Sequence, residues 1–248
     1  MNSKLLAAGL TGLLACTPVS ADMLFGVYAK AGGWSQAPSG GFGDNANQFN
    51  LETDLGMDTE TGTMVSIAVE HFIPLIPNIK IERTELSFSS AGTLTQGLTF
   101  GGVTFANGAA VTSEIDLSHT DFILYYEILD NWVSLDVGVN VKMFDGELAV
   151  TTGGNTGRTD LSVPVPMLYG KAQFELPFTG LSAGAEGSYI GFDGDAFTDL
   201  RGYIGYEFMF GLGVEVGVRS IVIEFDDLDD AAIDTTFEGA YISATFHI

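Results

Sequence analysis

Only one cysteine, Cys16, occurs in the 248 residues, so an intrachain disulfide framework is excluded and the fold must hold by packing and hydrogen bonds. Cations are scarce as well. Lysine and arginine number 9 against 32 acidic residues, a formal net charge of −23, which argues against nucleic acid as a partner. Three histidines leave few candidates for a general base. Long hydrophobic runs are missing too: beyond the N-terminus no stretch approaches the ~18 apolar residues of a membrane-spanning helix. Yet hydrophobic residues make up 46% of the chain and mean hydropathy is +0.27. If this chain crosses a membrane, it crosses as strands.

The N-terminus carries Lys4, an apolar run from Leu5 to Ala15, a helix-breaking Pro18 and the small residues Val19-Ser20-Ala21. This pattern reads as a secretory signal peptide over 1–21, leaving a mature domain over 22–248. Leu13-Leu14-Ala15-Cys16 also fits a lipoprotein box with Cys16 acylated. Cleavage after Ala21 leaves 8 basic and 32 acidic residues, a net of −24.

Alternation is the strongest pattern present. In 132–143, Val133, Leu135, Val137, Val139, Val141 and Met143 share one parity, and Ser134, Asp136, Gly138, Asn140 and Lys142 the other. An extended chain points successive side chains to opposite faces, so this is a strand with one apolar and one polar face. Leu200, Gly202, Ile204 and Tyr206 against Asp199, Arg201, Tyr203 and Glu207 repeat it, as do Leu212 to Val218 against Glu215 and Arg219. The alternation slips near His119 and near Ser220, each read as a bulge or a passage out of the membrane. A soluble sandwich would bury the valines, whereas a membrane barrel turns them to lipid and the charges into its lumen.

Ten such segments are predicted, near 23–32, 63–72, 79–89, 112–127, 132–146, 162–176, 180–191, 197–209, 212–225 and 235–247. Most are long enough to cross a bilayer as tilted strands of about 9 to 11 residues. Connections alternate, long at 33–62 and 90–111, short at 73–78, 128–131, 177–179 and 210–211. Aromatics cluster at the short-turn ends (Phe72, Tyr126, Trp132, Phe174, Phe178, Phe208, Phe210, Phe246) and at the opposite ends (Trp34, Tyr189, Phe192, Phe197, Phe225, Phe237), as two interfacial girdles would. The fold expected is an all-β transmembrane antiparallel up-and-down barrel of about ten strands, with eight or twelve as alternatives.

Four strings carry a resemblance: Glu70-His71-Phe72-Ile73-Pro74-Leu75-Ile76-Pro77-Asn78, Tyr125-Tyr126-Glu127-Ile128-Leu129-Asp130-Asn131-Trp132, Pro166-Met167-Leu168-Tyr169 and Leu176-Pro177-Phe178-Thr179-Gly180-Leu181. From about Met23 to Ile248 the chain resembles an uncharacterised proteobacterial family of outer-membrane β-barrel proteins. The resemblance implies a location in the Gram-negative outer membrane and a fold, but no reaction. One departure is the C-terminus, where such barrels usually end in Phe; here Phe246 lies two residues before Ile248.

The charges on the polar parity are the candidate functional residues. Asp136, Lys142, Lys171, Glu175, Glu186, Asp199, Arg201, Glu207, Glu215 and Arg219 are expected to face the lumen. Hairpins centred on Phe178-Thr179 and Asp193-Gly194 would set Lys171, Glu186 and Arg201 side by side on neighbouring strands. Such a row serves either a polar pathway for small solutes or an ion-pair network that fills a narrow lumen. No cofactor or metal site is expected. The acid-rich Glu224 to Asp234 lacks the EF-hand pattern and reads as solvated, and the glycine-rich Ser39 to Asp44 reads as an external loop. His119 and Asp121, on one face, are the single pair to test for catalysis in a chain read as non-enzymatic. The functional expectation is a structural barrel or narrow passive pore with an ion-paired lumen. A binding or adhesion barrel acting through acidic external loops comes second, and an outer-membrane hydrolase third. Expected partners are outer-membrane lipid, lipopolysaccharide and the barrel-assembly machinery during biogenesis, with no nucleic acid, and the protein is expected to be a monomer.

Overall fold

A computed structural model describes residues 25–44, 48–228 and 231–248; the expected signal segment 1–21, with Cys16, lies outside them. The strands follow as β1 (Phe25–Asp44), β2 (Gln48–Asn50), β3 (Glu60–His71), β4 (Asn78–Thr84), β5 (Ser87–Thr93), β6 (Leu98–Phe100), β7 (Val103–Phe105), β8 (Ala110–Asp116) and β9 (His119–Asp130). Then come β10 (Val133–Phe144), β11 (Gly146–Thr152), β12 (Asn155–Leu161), β13 (Pro164–Leu176), β14 (Leu181–Phe192), β15 (Asp195–Glu207), β16 (Leu212–Leu228) and β17 (Ala231–His247). Ten of them form a ring in the order β1-β3-β4-β9-β10-β13-β14-β15-β16-β17, each antiparallel to its neighbours. β17 closes the ring against β1 from Tyr28↔His247 to Asp44↔Ala231, and β2 is an extra strand on β1. Closure leaves no sheet edge inside the bilayer, where an unpaired backbone group would cost several kcal/mol, on the order of a lost hydrogen bond in hydrocarbon.

The short turns are tight. Phe178 and Phe210 adopt positive φ (66° and 64°) just before Gly180 and Gly211. At Gly211 a Cβ would meet the His247 carbonyl oxygen at 1.9 Å, so the β15–β16 turn can approach the last strand only with glycine there.

Above the opposite end the wall continues. β5, β8, β11 and β12 prolong β4, β9, β10 and β13 as a four-stranded sheet, and long β1, β16 and β17 rise on the other side. Together with the β6–β7 hairpin they make a dome around one apolar core that includes Phe42, Phe49, Leu55, Phe88, Val150 and Phe237. Phe88 stacks on Phe237 from the facing wall with ring centroids 5.5 Å apart.

Two expectations are corrected by this dome. Residues 33–44, glycine-rich stretch included, are not a loop but the upper half of β1, laddered to β17. Glycine suits that ladder, because a Cβ at Gly40 would meet the Asp234 carbonyl oxygen at 2.0 Å. Nor is there a bulge at Ser220 or His119. β15–β16 pairing runs without a shift from Glu207↔Gly213 to Ala196↔Glu224, and β4–β9 pairing without a shift to Thr84↔His119. Each is a passage out of the membrane. The inward parity turns from charged (Glu215, Arg219) to apolar (Ile221, Ile223) as the strand leaves the barrel for the dome. Register shifts occur instead at Leu135/Asp136 and Phe225/Leu228.

Candidate functional site: the charged lumen

Around the ring, Val65, Ile67, Ile79, Ile81, Leu124, Val137, Val139, Leu200, Ile204, Val216 and Val218 point outward and are exposed. All eight aromatics of the short-turn girdle are exposed as well. The opposite girdle is smaller than its sequence suggests. Tyr189 and Phe192 are exposed, but Trp34, Phe197 and Phe237 are buried in the dome core, with Phe225 packed against it. A ring of strands, apolar outside and charged inside, has its faces inverted relative to a soluble protein. The chain is a transmembrane up-and-down β-barrel.

No family model matches the chain, and no curated protein is similar to it. It is similar in structure to Ail, the attachment invasion locus protein of Yersinia pestis, at 10% identity over 89% of this chain and 99% of that one, with a TM-score of 0.36. It is also similar to the transport unit of the autotransporter AIDA-I from Escherichia coli (8% identity, 95% and 92% of the two chains, TM-score 0.42) and to a Pseudomonas aeruginosa FadL homologue (9%, 90% and 90%, 0.38). None of the three scores reaches 0.5, and no activity transfers from them.

Inside the ring the middle layer is an ion-pair network. The register sets Asp136, Lys171, Glu186, Arg201 and Arg219 opposite one another on five successive strands, β10 to β16. The partners they choose are set by the lumen as much as by the row. Arg201 grips Glu82 of β4 with both Nη atoms at 2.9 and 2.8 Å, and Glu186 through Nε at 3.1 Å. Glu186 also takes the Lys80 ammonium and the Tyr169 hydroxyl, the latter at 2.9 Å. Arg219 holds Asp199 through Nε and Nη2 at 2.9 and 2.7 Å. Lys142 bridges Asp121 and Asp199 at 2.8 and 2.9 Å. Lys171 lies 3.4 Å from Asp136, and Lys30 2.7 Å from Glu215, which also accepts the Tyr241 hydroxyl at 2.7 Å. Glu175 and Glu207 are exposed at the short-turn mouth. Buried charges of this kind are tolerable only when paired and hydrogen-bonded, and here six cations face six acids.

Four of these residues, Lys30, Lys80, Glu82 and Asp121, are absent from the lumen set read off the sequence. The signal was available for two: Ile79 and Ile81 alternate with Lys80 and Glu82. Where the charged layer meets the dome core, aromatic faces cover the cations. Arg219 lies 5.1 Å from the Trp34 ring centroid and Lys142 5.9 Å from that of Phe197.

His119 and Asp121 come together, but inside this layer. His119 is fully buried, its Nδ1 2.9 Å from the Leu117 carbonyl oxygen and its Nε2 3.7 Å from Asp121 Oδ2. With Asp199 they form a set whose ligand atoms lie within 4.8 Å of one another, as metal ligands would. The Lys142 ammonium bonds to both carboxylates of that set and supplies the positive charge there. A void of about 20 Å³ beside it, lined by Asp121, Asn140, Ser188, Asp199 and Arg219, has room for one water molecule, which needs ~10–15 Å³.

Proposed function

We propose that the protein is a non-conducting, non-enzymatic outer-membrane barrel whose lumen is a structural strut and whose working part is the β-dome held above the membrane. The observation that carries the reading is the two-pronged Arg201–Glu82 bridge across the lumen, with an apolar core stacked directly above it. A solute pathway needs mobile, hydrated charge along its length. Here the charges are matched and immobilised, and the layer beyond them is apolar. The belt of exposed aliphatic side chains supports outer-membrane lipid as its surroundings, with lipopolysaccharide and the barrel-assembly machinery as partners and a monomer as the assembly.

Planar-bilayer recording of the refolded protein tests this. A silent membrane is expected in which heat-modifiable gel mobility still proves insertion; discrete conductance steps from the unaltered protein would overturn the strut. Removing the β6–β7 hairpin should change what the cell surface binds without changing that mobility.

A further inference from the structure

At the end of the barrel away from the dome, the short turns terminate in large apolar side chains. The β3–β4, β9–β10, β13–β14 and β15–β16 turns follow one another around the ring at every second strand and carry Leu75, Trp132, Phe178 and Phe210. All four side chains are exposed, Leu75, Phe178 and Phe210 by 90%, 104% and 87%. Those three also hold positive φ (74°, 66° and 64°), a conformation that turns ordinarily give to glycine, asparagine or aspartate. Asp193, in the β14–β15 turn at the dome end, has the same conformation (53°) with a residue suited to water. Backbone strain is thus accepted three times at one end of the barrel, each time under an apolar side chain that the fold leaves uncovered. The backbone of each turn, meanwhile, has partners of its own. Tyr126 donates its hydroxyl to the Leu75 carbonyl oxygen at 3.0 Å, and the Val133 N–H donates to Asn131 Oδ1 at 3.2 Å. The Thr179 hydroxyl donates to the Leu176 carbonyl oxygen at 2.7 Å and accepts from the Leu181 N–H at 3.1 Å, and the Phe208 N–H donates to the Leu212 carbonyl oxygen at 2.7 Å. Turns supplied in this way can leave water, because in hydrocarbon it is the unsatisfied backbone group that is costly.

We propose that the four turns are a crown of anchors seated within the membrane leaflet on the side away from the dome, and that this end fits a zwitterionic lipid surface. The tips continue the lipid-facing belt: Ile73 and Ile76 flank Leu75, Leu176 and Leu181 flank Phe178, and Phe208 and Leu212 flank Phe210, all of them exposed. Apolar and aromatic side chains at this height match the acyl boundary of a leaflet. Tips on four sides of a ring suit a leaflet, which surrounds the barrel, better than a partner that docks from one side. Charge selects the kind of lipid. Asp130, Glu175 and Glu207 are exposed two or three residues before a tip, and no lysine or arginine lies in 72–78, 127–134, 174–182 or 206–213. Anionic lipid attracts basic segments and repels an end of this sign. The crown rests on the barrel's place in a membrane, and on neither the silent lumen nor what the dome binds.

Tryptophan fluorescence of the barrel refolded into phosphatidylcholine vesicles tests the seating. Trp132 is the exposed one of the two tryptophans, Trp34 being buried in the dome core. Brominated acyl chains are expected to quench Trp132 and aqueous acrylamide to leave it largely unquenched. Trp132→Phe should lose the lipid quenching, and adding Phe178→Trp or Phe210→Trp to that variant should restore it. Phosphatidylglycerol mixed into the vesicles should weaken the quenching by lipid, and Glu175→Gln with Glu207→Gln should remove that dependence. Heat-modifiable mobility reports insertion of each sample separately. An inserted barrel whose tips are quenched by acrylamide and not by brominated lipid would overturn the crown and leave the proposed function standing, the tips then being a surface for a soluble protein. Quenching indifferent to phosphatidylglycerol would overturn the fit to zwitterionic lipid.

Discussion

Glu82 and Arg201 meet across the full width of the barrel. Four strands separate β4 from β15 in either direction around the ring, yet the two side chains form a paired bridge at 2.9 and 2.8 Å. Arginine's planar fork matches a carboxylate in this way, adding geometric definition to charge. The bridge ties opposite walls directly; Glu186 links it to Lys80, and Arg219, 3.5 Å from Glu82, links it through Asp199 to Lys142.

Glu82→Gln should therefore destabilise the barrel by about 3 to 5 kcal/mol, the usual loss when one member of a buried ion pair is removed and its partner stays charged. The paired change Glu82→Leu with Arg201→Met should recover much of that loss, because apolar replacements of similar volume leave no orphaned charge at this position. Urea unfolding from lipid vesicles gives both values. Equal destabilisation in the single and paired variants would show that the bridge is not a unit.

The dome should yield separately from the barrel. Phe88→Ala removes one ring of the Phe88–Phe237 stack and should cost ~3–5 kcal/mol of dome stability, as large aromatic truncations in cores do. The lipid-embedded ring of strands has none of those contacts. Limited proteolysis should cut the external segments of Phe88→Ala while heat-modifiable mobility persists; a simultaneous loss of both would mean that dome and barrel fold as one.

Lys142 supplies the positive charge between Asp121 and Asp199. Lys142→Ala should leave His119, Asp121 and Asp199 with unbalanced negative charge in ligand-like positions. Refolding that variant with cobalt should produce d–d absorption bands that the unaltered protein lacks, and a colourless variant would show that the pull of Arg219 on Asp199 keeps the set closed.

Acid should loosen the dome at one identifiable carboxylate. Burial alone would push the Asp54 carboxyl up, but the Thr95 hydroxyl at 2.7 Å and the backbone N–H groups of Asn50 and Thr95 at 2.9 and 2.8 Å override it and hold the group below its ordinary range. A depressed carboxyl stabilises the fold in full above the unfolded value of about 3.9 and ceases to as pH falls through the lower folded value. Dome stability from this source should thus be flat from pH 7 to 5 and fall below about pH 4. Asp54→Asn should show a smaller acid loss when urea unfolding is compared at neutral and acid pH; an unchanged loss would assign it to other acids.

The strand pattern was legible wherever side chains alternate. Val133 to Met143 announces β10 because six apolar side chains share one parity, and the turns at Phe178-Thr179 and Asp193-Gly194 fix the register across β13, β14 and β15. Residues 39–44 were not legible, since three glycines among six residues leave too few side chains to alternate. Trp34, Phe197 and Phe237 fall near the ends of the segments read from the sequence, where a girdle and a buried core place the same residue type. Arg201 beside Glu186 followed from the hairpin, but the Lys80 partner of Glu186 was out of reach. Neighbouring strands follow from turn geometry, but the approach of Lys80 depends on closing the ring and on the distance across it, which no local spacing encodes.

The change of the inward face between Arg219 and Ile221 fixes how deep the barrel sits. Alternation by itself fixes only rotation: a strand moved by two residues keeps every side chain on its own face. In β16 such a move would bring Ile221 to the height of Arg219 and take from Asp199 and Glu82 the guanidinium they share. Moved the other way, Arg219 would enter the apolar dome core, away from Asp199. The strand therefore carries a waterline, written as a switch in polarity within one unbroken parity, and every long strand that crosses into the dome must place that line at the same height.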